Sequence, residues 1–132
     1  MASLASTAFA TCTLIASAAA WAQADVKALE GTWVAQWRAQ AGPVATAQLI
    51  VRDTGNTWRA TFPKNDVPKN ACLEREHSAR LQPMADGRYR LVVEASKTMA
   101  GCQDANATLT LVDSTHLEGQ WGNGQVIKLQ RR

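Results

Sequence analysis

The chain has 132 residues, 46% of them hydrophobic, with 14 basic against 11 acidic side chains and a net charge of +3. That length fits a single domain. Charge this mixed, with Arg131-Arg132 as its one terminal basic pair, lacks the concentrated basic stripe of a nucleic-acid binder, so no nucleic-acid partner is expected.

The first 24 residues carry no charge. Met1 to Ala24 is rich in Ala, Ser and Thr, has a modest apolar centre around Leu14 and Ile15, and ends Ala22-Gln23-Ala24 before Asp25. Small residues at that junction match the cleavage site of a secretory signal peptide, although the usual Lys or Arg at its start is missing. The stretch is too short and too weakly apolar to span a bilayer stably. The expectation is a bacterial periplasmic or secreted protein: signal peptide 1–24, a single β domain 25–132, and no membrane span after cleavage.

Cleavage removes Cys12 and leaves Cys72 and Cys102. An even pair in an exported domain is most simply a disulfide. Closing a loop of about 30 residues contributes roughly 3–4 kcal/mol in the chain-entropy model. The close spacing and His partners of a zinc site are missing.

Asp25 to Glu30 fits one turn of helix, and everything after it reads as strands by period-2 alternation. Trp33, Ala35 and Trp37 alternate with Thr32, Gln36 and Arg38; Ala45, Ala47, Leu49 and Val51 alternate with Thr46, Gln48 and Arg52. Asp53-Thr54-Gly55-Asn56 is a turn, and Trp58, Ala60 and Phe62 follow it. Pro63 to Asn70 is a loop. Cys72 to Leu81 reads as a polar, edge-like strand. Tyr89, Leu91, Val93 and Ala95 share a face, a loop carries Cys102, and Ala107, Leu109 and Leu111 form the next strand. Leu117 to Trp121, a Gly122-Asn123-Gly124 turn and Gln125 to Gln130 complete the pattern. About eight short strands with short links favour an all-β, antiparallel up-and-down barrel with one disulfide, which leaves no open edge. A β-sandwich is the alternative.

Leu29-Glu30-Gly31-Thr32-Trp33 opens the first strand, and Leu117-Glu118-Gly119-Gln120-Trp121 repeats its pattern in the seventh. Gly permits close approach of backbone or ring, and the Trp two residues later lies on the same face. An early Gly-x-Trp resembles the calycin group, lipocalins and avidins; a second Leu-x-Gly-x-aromatic is similar to the avidins in particular. That resemblance implies a barrel with an internal ligand site and a structural role for Gly31, Trp33, Gly119 and Trp121. Avidin-type polar biotin ligands follow the Gly-Thr-Trp, and here those positions are Ala35 and Ala39, so biotin is not an expected ligand. The chain is also similar to small periplasmic inhibitors of bacterial metalloproteases, which have an opening Leu-x-Gly-x-Trp and act through an N-terminal segment. By that resemblance, Asp25-Val26-Lys27-Ala28 is the inhibitory segment.

No nucleophile elbow, Walker-type or dinucleotide glycine pattern occurs, so no catalytic residue, metal or cofactor is expected. His77 and His116 read as exposed polar residues, and on a strand Glu74 and Glu76 face away from His77. Trp33 and Trp121 read as core. Trp37 and Trp58 lie nearer strand ends, where a barrel mouth would be. With Tyr89, and with Arg38 and Arg59 beside them in sequence, they form the candidate site for an anionic or aromatic ligand. The expected partner is a small molecule or a protein.

Overall fold

The computed structural model describes residues 25–38, 42, 44–62 and 70–132. The expected signal peptide, Cys12, Ala39 and most of the Pro63–Asn70 loop lie outside the described residues. A 3₁₀ turn at Val26–Leu29 leads into eight strands: β1 (Gly31–Arg38), β2 (Val44–Val51), β3 (Asn56–Thr61), β4 (His77–Pro83), β5 (Tyr89–Val93), β6 (Ala105–Asp113), β7 (His116–Trp121) and β8 (Val126–Arg131). Two single-turn helices, α1 (Ala71–Glu74) and α2 (Ala95–Thr98), interrupt the meander. Among the described residues no helix is long and apolar enough to cross a membrane.

Each strand pairs antiparallel with its neighbour in sequence, and β1 closes on β8 through Trp33↔Arg131, Ala35↔Leu129 and Trp37↔Ile127. The result is a closed up-and-down barrel, the first of the two architectures the alternation allows. Closure follows from composition: each strand has one apolar face, and wrapping the sheet buries all of those faces at once while pairing every edge. Trp33, Ala35, Leu49, Leu91, Leu109, Leu117, Ile127 and Leu129 are sealed inside. Alanines at Ala35, Ala47, Ala79 and Ala107 leave room for the larger rings and branched chains, as close packing requires.

The region expected as one edge-like strand, Cys72 to Leu81, divides in two. Asn70 caps α1 by accepting the Cys72 amide hydrogen at 3.0 Å, and the chain then turns into β4. That strand pairs on both sides, although with β3 only through Asn56↔Ala79, Thr57↔Ser78 and Trp58↔His77. Cys72 on α1 is bonded to Cys102, 30 residues away, with their Cα atoms 5.7 Å apart. The bridge ties α1 to the loop between α2 and β6. At α2, the buried Glu94 carboxylate is neutralised by Lys97 at 2.7 Å and Arg80 at 3.3 Å.

The two ends of the barrel differ. β1 begins at one end with the 3₁₀ turn, and the buried Leu29 side chain packs into the core there. The Trp33 indole donates to the Leu29 carbonyl at 2.8 Å. Arg131 stacks its guanidinium 4.4 Å from the Trp33 centroid and donates to the carbonyls of Ala28, Glu30 and Ser114. This end is closed.

Candidate functional site

At the other end β1, β3, β5 and β7 finish and β2, β4, β6 and β8 begin. Here the interior opens into a cavity of about 510 Å³. That size lies within the range of small-molecule sites. Strand parity aims Trp37, Trp58 and Trp121 at it. Trp58 is buried, while Trp37 and Trp121 are half-buried. Their ring centroids stand 5.7 Å (Trp37 to Trp58), 5.5 Å (Trp37 to Trp121) and 5.5 Å (Trp58 to Trp121) apart, the last two pairs packed edge to face. Such mutual packing stiffens the wall beyond simple area burial.

Small side chains supply the space: Ala60, Ala95 and Ala105 line the cavity. The disulfide end contributes Cys72 and Leu73, and the rim carries Gln103, Asp104, Asn106, Asn123 and Gln125. Asp104 accepts the Ser96 amide hydrogen at 2.9 Å, and this bond holds its carboxyl below the ordinary value. The β7–β8 turn is fixed by Gln125 donating its amide to the Asn123 side chain at 3.0 Å and by Gly124 donating to the Trp121 carbonyl at 2.8 Å.

His77 is the departure from expectation. It is 5% exposed, sits opposite Trp58 on the inner face and lines the cavity. The alternation was sound, since His77, Ala79 and Leu81 share the buried face of β4. As a polar residue at the first inward position of β4, His77 carries no apolar mark of its burial in the sequence. Its Nε2 meets the Cys72 carbonyl. His77 Nδ1 and Trp121 Nε1 are both buried and have no hydrogen-bond partner among the described residues.

The other predicted site residues go elsewhere. Arg38 and Arg59 are exposed on the outer surface, because each follows an inward Trp by one residue and a strand alternates its faces. Tyr89 is buried near the closed end, where its hydroxyl donates to the Asp25 carbonyl at 3.4 Å. Burial, and then the nearby Asp25 carboxylate, push that phenol above its ordinary value. Trp121, expected as core, joins Trp37 and Trp58 at the cavity, whereas Trp33 stays in the closed-end core. His116 is exposed beside Asp113, 2.9 Å away. Among the described residues no three His, Cys, Asp or Glu side chains gather as metal ligands.

No protein-family model matches the chain, and no curated protein matches it. Among solved structures it is similar to a redesigned β-barrel, at 16% identity over 83% of this chain and 96% of the other, with a TM-score of 0.50. Likeness at that identity concerns the fold alone: a closed eight-stranded antiparallel barrel.

Proposed function

We propose that this chain is an exported, non-enzymatic binding protein with a calycin-like barrel, whose wide-end cavity holds a small ring-bearing ligand. One observation carries the reading: the barrel is filled and sealed at the Leu29–Trp33 end but ends in a roughly 510 Å³ cavity walled by three indoles at the other. Aromatic walls with a few polar groups at the rim suit small apolar or aromatic molecules. The disulfide supports export to the periplasm or the exterior, since such bridges persist in oxidising compartments. Biotin is not the ligand proposed, because the apolar Ala35 is buried in the core where the avidin pattern has a polar ligand.

The alternative, a protease inhibitor acting through Asp25 to Ala28, has less support. Tyr89 holds the Asp25 carbonyl and Arg131 the carbonyls of Ala28 and Glu30, so the segment lies against the closed end. Intrinsic Trp fluorescence, titrated with a panel of small hydrophobic and anionic metabolites, tests the binding reading. A saturable change with a ring-bearing member is expected, and a flat response across the panel would remove the proposal. Inhibition of a metalloprotease that is lost on deleting residues 25–28, with the fold intact, would favour the alternative.

A further inference from the structure

The lip of the wide-end cavity is lined by carboxamides. Gln103, Asn106 and Asn123 are exposed there and Gln125 is half-buried, so these side chains meet the open cavity as the structure stands. Three of them gather where the start of β6 meets the β7–β8 turn. Gly122 donates its amide to the Asn106 carbonyl at 2.8 Å. A Cβ on Gly122 would lie 3.3 Å from Asn106 Oδ1, so the missing side chain lets that carboxamide rest against the turn. Asn123 donates one amide hydrogen to Gln125 Oε1 at 3.3 Å. A primary amide carries two donor hydrogens and an acceptor oxygen. The second Asn123 hydrogen, both Gln125 hydrogens and the Asn106 group are therefore left for a ligand.

That chemistry discriminates between ligand classes. A carboxamide donates and accepts at once, as a hydroxyl does. An anion would use the N–H half alone, and the described lining residues include no lysine or arginine. A cation would use the oxygen half alone. The lining carboxylate, Asp104, already accepts the Ser96 amide hydrogen and has Lys97 and Arg80 nearby. Deeper in, Trp37, Trp58, Ala60 and Val93 offer an apolar wall. A cavity of about 510 Å³ has room for a ligand with both an apolar and a polar part.

We infer that the site takes a neutral, hydroxyl-rich ring compound of the aryl-glycoside class, its apolar ring against the indoles and its sugar hydroxyls on the carboxamides of the lip. This deepens the binding function proposed above and rests on it.

NMR titration of the full chain with three matched probes tests the inference: naphthalene, 2-naphthyl β-D-glucopyranoside and 2-naphthyl β-D-glucuronide. Two or more hydrogen bonds at the lip predict the glucoside tighter than naphthalene by about tenfold or more. The glucuronide, which differs by a carboxylate, should bind more weakly than the glucoside. Asn106→Ala combined with Gln103→Ala should shrink the glucoside preference to about threefold or less. An unchanged Trp33 indole signal and circular dichroism show that the variant is folded. A glucoside no tighter than naphthalene, a glucuronide as tight as the glucoside, or a preference unchanged in the folded variant would overturn the inference and leave the cavity reading standing. No binding by any probe would overturn both.

Discussion

The guanidinium carbon of Arg131, the penultimate residue, stands 4.4 Å from the ring centroid of Trp33 near the start of β1. The same side chain binds the carbonyls of Ala28 and Glu30, which flank the Leu29 plug. One residue therefore staples the last strand, the first strand and the 3₁₀ turn. Arg131→Met is expected to cost about 2 kcal/mol, from the cation–π contact and the charge-assisted bonds together. Arg131→Lys should recover part of that, since a lysine has no planar fork. Urea unfolding of the two variants checks the order.

The disulfide is the second staple, at the opposite end. Cys72→Ser with Cys102→Ser should cost about 3–4 kcal/mol for a 30-residue loop. The loss should match that of the reduced wild type in urea unfolding. Because Cys72 lines the cavity, ligand affinity should fall with it.

Gly119, in the second copy of the pentapeptide, and Gly124, in the β7–β8 turn, are held for different reasons. A Cβ on Gly119 would lie 1.8 Å from the Thr108 backbone oxygen, and strand backbone cannot yield to it. Gly119→Ala should therefore reach the upper end of overpacking costs, about 3 kcal/mol. Gly124, in the β7–β8 turn at φ +88° with open space around it, should lose only about 1–2 kcal/mol on the same change. Equal losses in thermal unfolding would contradict the packing account.

Asp113 supplies a pH signature. Hydrogen bonding from His116 first, and then from the Thr115 amide and hydroxyl, draws its carboxyl down to about 2. A depressed folded-state value adds stability above the unfolded value, near 4, and that stability is lost as pH falls from there through about 2. Asp113→Asn should therefore be less stable than wild type at pH 7, with the difference closing by pH 2. Denaturant midpoints at the two pH values decide it.

The barrel was legible because the signal that specifies it is local. Alternation at Trp33, Ala35 and Trp37, or at Tyr89, Leu91 and Val93, fixes which side chains turn inward whatever the partner strand is. The same rule, applied strictly, places Arg38 and Arg59 outside. Adjacency in sequence to Trp37 and Trp58 puts each arginine on the opposite face of its strand. The ends of the barrel were less legible. Trp33 and Trp121 share a pentapeptide, yet Gly31 is the first residue of β1 while Trp121 is the last of β7. β1 and β7 run the same way, so the repeat sits near opposite ends, and only strand boundaries reveal it. The burial of His77 depended on where α1 stops and β4 starts, which a cap at Asn70 and a bridge to Cys102 decide.

The most direct test is an ¹⁵N-resolved NMR titration of the indole N–H signals with a small bicyclic aromatic, naphthalene. Binding at the wide end should shift the signals of Trp37, Trp58 and Trp121. The signal of Trp33, hydrogen-bonded to Leu29 at the sealed end, should stay in place. No movement of the Trp37, Trp58 and Trp121 signals, or a response led by Trp33, would contradict a ligand site at the three-indole cavity.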